Sequence, residues 1–394
     1  MRRIAANYIF PVSQHPLKNG IVEFDDSGKI SNLIDTHGKL TESRNLEFLN
    51  GVIVPGFINT HCHLELSELK GKLSPGLSLP GFVSEMIAFK RQVDSANSIS
   101  AMVLQDDLMQ RNGIVVVADI VNTEKSLDVK QNSKIFYHSF VETLGLHSNA
   151  DKTFRTAQNL NNQFVENGLS ASIVPHAPYS VSEELFKHIR NYAEEKNSIL
   201  SIHMQESAFE NEMFKSKKGR LVDLFTKIGI DLSNWVPTGK NSFESIAKYL
   251  PADNSILFVH NLYSSIHEIK TATRDFKNAF FVLCPNSNYY IEKKYPDLEN
   301  FIQFPHRITL GTDSLASNTG LSILDEMKTL VRIKPGISFE TLLQWATING
   351  AKALKVDKDF GSIEKGKTPG LNLITDFDFV NMQITDKSNV KAII

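Results

Sequence analysis

Two cysteines in 394 residues, Cys62 and Cys284, are too few to staple a fold. That excludes a disulfide scaffold and suits a reducing compartment such as the cytoplasm. Long apolar runs are missing as well: none approaches the roughly 18 residues that a membrane span requires. The start, MRRIAANYIFPVSQHP, is interrupted by Asn7 and stopped by Pro11, unlike a secretory leader. Charge of one sign is also lacking, since 42 basic against 44 acidic residues leave a formal net charge of -2 with only short clusters such as KSKKGR. Neither nucleic acid nor a membrane surface is expected as a partner. Signatures of nucleotide binding and serine hydrolysis are absent too. No G-x-G-x-x-G follows the first strand-like run, GTDSLASNTG does not match a phosphate loop, and no G-x-S-x-G elbow stands at a strand end.

What is present is an ordinary globular composition, 41% hydrophobic and 22% charged, in a chain long enough for one large domain or two. The first 50 or so residues alternate short strands with turns, and Asp25-Asp26 with Ser27-Gly28 reads as hairpin punctuation. From about Gly51 the pattern changes. Eight apolar runs follow, GVIVPGFI, GIVVVADI, KIFYHSFVET, LSASIVPHAPYS, NSILSIHMQES, NSILFVHN, NAFFVLCPNS and HRITLGTD, with helical stretches between them. That alternation predicts parallel strands. One helix is well marked, with Ser182 as its cap, Glu183 and Glu184 in the first turn, and Leu185, Phe186, Ile189 and Tyr192 at helical spacing. The stretch from 207 to 254 is long for a crossover and suggests a lid or substrate loop. The tail, GSIEKGKTPGLNLITDFDFVNMQI, returns to strand-like alternation, as though both chain ends build one small β domain.

Polar residues gather where these runs end. His61 and His63 are two apart, so on a strand they face one side, and two imidazoles aimed at one point are a metal-ligand pattern. Alone, H-x-H is weak evidence. The later runs end on His176, His203 with Glu206, His260 and Asp313, which is where active sites of parallel barrels assemble. Each has a bland reading: His203 as a core histidine, Glu206 as a solvated loop residue, His260 as a strand cap, His176 as a turn residue between Pro175 and Pro178, Asp313 as a helix cap. Their joint occurrence argues otherwise. His61 and Asp313 also stand about 250 residues apart, the size of one barrel, so the first and last strands are expected to meet. Glu65 and Glu68 either line the entrance or are solvated, and Tyr289, Tyr290 and Trp235 either stack a flat ligand or pack in the core.

With these motifs in place, the chain resembles the amidohydrolase superfamily, in its branch of cytosine, guanine, adenosine-type and triazine deaminases and chlorohydrolases. VIVPGFINTHCHLELSELKG is similar to the first strand and metal pair, PHAPYSVS to the fourth-strand motif, HMQES to H-x-x-E, CPNSNYY to the seventh strand and LGTDSLASN to the eighth. The resemblance implies an α/β fold: a (β/α)8 TIM barrel over residues 57–356, with a small β-sandwich from residues 1–56 plus 357–394. It implies one divalent metal, zinc foremost and iron as the alternative, on His61, His63, His203 and Asp313. The carboxylated lysine of two-metal members has no counterpart, since His176 stands in its place. Glu206 would shuttle protons, His260 would orient the attacking water, and His176 would contact the substrate, with Glu65 and Asn288 as further expected contacts. The chain departs from the pattern at KGKTPGLNLI, where the usual aspartate is missing, and at MQES, where alanine commonly precedes the glutamate.

The implied activity is hydrolytic deamination of an amino-substituted heterocycle, an adenosine-type purine nucleoside foremost. A metal lowers the pKa of its bound water to about 7, so hydroxide attacks the ring carbon. Glu206 then protonates the ring and Asp313 the leaving amine, and ammonia departs. SLPGFVSEMIAFKRQV and VPTGKNSFESIAKYL are similar to segments of proteins assigned as aminodeoxyfutalosine deaminases. The alternatives are a chlorohydrolase or cyclic-amide hydrolase on the same site, and a non-catalytic binding barrel. A small-molecule substrate is the expected partner, and a homodimer the expected assembly.

Overall fold

In the computed structural model, which describes residues 1–90 and 95–394, the chain begins with five strands: β1 (Arg2–Ile9), β2 (Leu17–Lys18), β3 (Ile21–Phe24), β4 (Ile30–Ile34) and β5 (Leu46–Pro55). The hairpin expected around Asp25 joins β3 to β4. Asp25 Oδ1 accepts from the backbone N–H of Ser27 at 2.9 Å and of Lys29 at 3.1 Å, and Gly28 takes the positive φ of 81° that the turn requires.

Between β5 and the C-terminal strands run eight more: β6 (Phe57–Cys62), β7 (Ile114–Val121), β8 (Phe136–Thr143), β9 (Ser170–Pro175), β10 (Leu200–Met204), β11 (Ser255–His260), β12 (Asn278–Leu283) and β13 (Ile308–Leu310). Seven of them fall on the last seven apolar runs, whereas the first run, GVIVPGFI, is divided: residues 51–55 belong to β5 and only Phe57 and Ile58 to β6. The last two strands are β14 (Leu371–Thr375) and β15 (Asn389–Ala392), and they return to the start of the chain: β14 pairs antiparallel with β5, Leu371 opposite Pro55. Both chain ends therefore share one sheet, ordered β15-β14-β5-β1-β3-β4 with β2 on β1. The expected sandwich differs from this, because hydrogen bonding joins all seven strands into a single mixed sheet. Strand alternation divides its side chains: Ile53 joins a small core with Ile4, Val22, Phe24 and Ile363, whereas Val52 and Val54 point into the main core.

Strands β6 to β9 form one parallel sheet in sequence order, and β10 to β13 a second. Helices cover their connections, for example Ala150–Glu166 before β9, Glu183–Lys196 before β10 and Ile266–Asp275 before β12. Buried on both faces, such strands are apolar almost throughout, which is why they read as continuous runs. The helix at 183–196 is capped as expected, Ser182 Oγ accepting from Leu185 N at 3.3 Å, with Leu185, Phe186 and Ile189 buried.

The two sheets touch along both edges. His203 N, on β10, donates to the carbonyl of His176, just past β9, at 2.9 Å. At the other seam Thr60 Oγ1 donates to the Leu310 carbonyl at 2.8 Å, and the amides of Thr312 and Asp313 both reach the His61 carbonyl at 3.0 Å. The stretch from 207 to 254 carries helices at Ala208–Ser216, Arg220–Lys227 and Ser242–Ile246, and buries Leu221, Leu224 and Phe225. Among the described residues, no helix is long and apolar enough to cross a membrane.

Candidate metal centre and active site

Every polar residue singled out at a strand end lies at the C-terminal end of its strand. His61 is in β6 and His63 follows it. His176 follows β9, His203 lies in β10 with Glu206 beyond, His260 closes β11, and Asp313 comes three residues after β13. The backbone is bent to aim them. Gln205, His260, Asn261 and Asp313 all have positive φ, of 50°, 73°, 51° and 56°. For residues with a Cβ this costs on the order of 1 kcal/mol or more each, so the surroundings must hold it in place. Here they do, through Asn261 N on the Met204 carbonyl at 3.0 Å, Tyr263 N on Gln205 at 3.0 Å, and Asp313 N on His61.

His63 Nε2 lies 3.2 Å from His61 Nε2 and 3.3 Å from His203 Nε2, while Asp313 Oδ1 is 3.4 Å from His63 Nε2 and 3.6 Å from His61 Nε2. Neutral imidazoles cannot satisfy one another in such a knot. His203 donates its Nδ1 proton to the His176 carbonyl at 2.8 Å, so its Nε2 presents a bare lone pair to the cluster. Burial, followed by the neighbouring imidazoles, pulls His203 down to about 4 and His63 well below the ordinary histidine value. Both are neutral at pH 7, as ligands must be. Asp313 stays a carboxylate: burial pushes it up, but the bond to His61 and the nearby His63 and His260 outweigh that and hold it well below its usual range. Its Oδ2 accepts from Ser287 Oγ at 2.6 Å and Ser317 Oγ at 2.8 Å, leaving Oδ1 for the cluster. Donors on a tetrahedral ion with bonds of about 2.0–2.1 Å stand about 3.3 Å apart. The observed spacings fit a divalent ion.

Beside the cluster, Glu206 Oε1 is 3.7 Å from His260 Nε2. Burial pushes the Glu206 carboxyl well above its usual range, and Asp313 adds to the effect. Burial also keeps His260 neutral. His176 Nδ1 is 2.7 Å from Ser180 Oγ, and burial draws this imidazole down to about 4. Above these groups opens a cavity of about 470 Å³. His63, His176, His203, Glu206, His260 and Asp313 line it, and Phe82 and Met86 from the helix Ser78–Lys90 form apolar wall together with Leu146, Leu221, Phe225 and Ile230.

Residues 52–392 match the amidohydrolase family. The chain belongs to that family. It is 29% identical over 337 residues to an adenosine deaminase of Helicobacter pylori, covering 83% of this chain and 79% of that one. Its structure resembles H. pylori aminofutalosine deaminase in complex with methylthio-coformycin, with a TM-score of 0.82 and 26% identity, over 96% of this chain and 93% of the other. A Xanthomonas campestris adenosine deaminase with bound zinc shares the fold, with a TM-score of 0.77, 20% identity and coverage of 94% and 84%.

In this amidohydrolase two expected substrate contacts lie elsewhere. Glu65 does not line the cavity; its carboxylate accepts from the amides of Asn122 and Thr123 at 3.2 and 3.3 Å and from Thr123 Oγ1 at 2.9 Å. Asn288 is fully buried behind His260. Of the aromatic candidates, Tyr289 stacks on Tyr295, Tyr290 donates to the Leu73 carbonyl at 2.6 Å, and Trp235 packs edge-on against Phe214. The aromatic wall is instead Phe82, Tyr179 and Phe225. Helical spacing of Leu79, Phe82, Val83 and Met86 could have signalled the first of these. In SLPGFVSEMIAFKRQV, residues 91–93 lie outside the described residues.

Proposed function

We propose that this amidohydrolase is a zinc-dependent deaminase that hydrolyses the exocyclic amino group of an adenosine-type purine nucleoside and releases ammonia. The observation that carries the reading is a buried carboxyl, Glu206, 3.7 Å from neutral His260 and beside the cluster of His61, His63, His203 and Asp313. The deaminases among the similar proteins support it, as does an apolar cavity large enough for a flat heterocycle with a substituent.

The ion, held by those four residues, would acidify a water beside it. Glu206 takes a proton from the water and delivers it to a ring nitrogen. His260, through Nε2–H, holds the attacking oxygen against the ring carbon. Asp313 takes the remaining proton of the attacking oxygen and passes it to the departing amine, the ring carbon–nitrogen bond breaks, and ammonia leaves. His176, in the cavity wall, contacts the substrate. The same reading takes the two parallel sheets, touching at both seams, as a (β/α)8 barrel over 57–356, and residues 1–56 plus 357–394 as the small domain. Buried free Cys62 and Cys284 suit a cytoplasmic protein.

Ammonia release by zinc-loaded protein, with a chelated control, is the test, across adenosine, methylthioadenosine, adenosylhomocysteine, aminodeoxyfutalosine, guanine, cytosine and amino-triazines. Metal-dependent release from a purine nucleoside is expected. Release from the triazines alone, or silence with zinc bound, would overturn the reading.

A further inference from the structure

Behind the histidine cluster, and outside the cavity, lies a charge pair that the proposed chemistry does not use. Lys130 Nζ is 2.7 Å from Asp119 Oδ2, and both side chains are wholly shielded from solvent. Lys130 also donates to Ser139 Oγ at 2.9 Å and sits over the rings of Tyr137 and Phe164, at 5.4 and 5.2 Å. Asp119 belongs to β7, where it pairs in register with Cys62, the residue between the two histidines. Its second oxygen is spent on one bond: Oδ1 accepts the backbone N–H of Leu64 at 2.7 Å.

Burying two charges gives little net stability compared with an apolar pair of similar volume, so the pair calls for another explanation. The bond to Leu64 supplies one. The peptide between His63 and Leu64 is planar, so a held Leu64 N–H keeps the Cα of His63 in the same plane and limits where its side chain starts. β6 ends at Cys62, leaving His63 just beyond the strand ladder. Glu65 pins the same turn from its other side, to Asn122 and Thr123.

We infer that Asp119, oriented by Lys130, is a positioning residue that holds His63 in register with His61 and so sets how tightly the centre keeps its metal. This rests on the metal reading of His61 and His63. Lys130 fixes one carboxylate oxygen so that the other points at the Leu64 amide, and the rings around Lys130 exclude the water that would loosen both.

Charge and anchor separate in a Lys130→Met background, where no buried charge is left unpaired. Asp119→Ala/Lys130→Met has no acceptor for Leu64; Asp119→Asn/Lys130→Met keeps one. Zinc affinity of the folded proteins, measured by competition with a chromophoric chelator, should fall about tenfold to a hundredfold in the alanine variant and largely recover in the asparagine variant. Unchanged affinity in the alanine variant would overturn the inference, as would equal losses in the two. Amide exchange at Leu64 in metal-free wild type needs no variant to fold: strong protection is expected, and exchange as fast as in an open loop would overturn the anchor. Wild type that bound no zinc would refute the metal reading instead, while Leu64 exchange would still decide the anchor.

Discussion

Asn288 and His260 face each other in the interior, the Asn288 side-chain amide donating to His260 Nδ1 at 3.2 Å. With Nδ1 occupied as an acceptor, the imidazole proton resides on Nε2, the nitrogen that points to Glu206. Asn288→Asp replaces that donor with an acceptor and draws the proton to Nδ1. Turnover should fall about 10- to 100-fold with zinc content unchanged, read by steady-state kinetics and metal analysis on one sample. Wild-type turnover would mean that the tautomer has no part in catalysis.

Glu206→Gln keeps the volume and removes the proton carrier. The loss in kcat is expected to be about 10²- to 10⁴-fold, again with zinc retained. A variant that keeps turnover would place the proton transfer on another group.

Glu326 is fully buried between the amide of Asn286 at 3.0 Å and Asn318 Nδ2 at 2.8 Å, and burial pushes its carboxyl up to about 8. A carboxyl whose folded value is raised stabilises the fold fully below its ordinary value of about 4.5, and that contribution is lost as pH climbs through about 8. Between those two values the folded chain keeps the proton that the unfolded chain has released. Wild type should therefore lose thermal stability between pH 5.5 and 8.5, and Glu326→Gln should flatten that decline. Parallel pH profiles of the unfolding midpoint for the two proteins would disprove it.

Phe225 contributes an aromatic side chain to the cavity wall, from a helix remote in sequence from His61, His63 and Asp313. Truncation to alanine removes apolar contact without touching the reacting groups. KM for the nucleoside should rise about tenfold while kcat changes little. A kcat loss with unchanged KM would place Phe225 among the residues that shape the reacting geometry.

The parallel strands were legible because burial on both faces demands uninterrupted apolar residues, and the helix after Ser182 because its cap and stripe are local. The histidines and Asp313 of the candidate site were legible for a related reason: in β6 and β10, just after β9, at the end of β11 and beyond β13 a polar side chain breaks the apolar run. Glu65 misled because its closeness to His63 in sequence says nothing of direction, and its carboxylate turns to the loop after β7. Gln205 gave no sign of its role. Its positive φ and its bonds to Glu268 and Ser264 tie the turn carrying Glu206 to the one after His260, through residues about sixty positions apart.

By itself the sequence determined which side chains could do chemistry and the period of the elements carrying them, since both depend on neighbours a few residues away. Only the tertiary structure decided which donors share a point, which nitrogen of His203 or His260 holds the proton, and which carboxylates ionise. Those depend on burial and on partners brought together from strands up to about 250 residues apart, where sequence spacing carries no record of distance or direction.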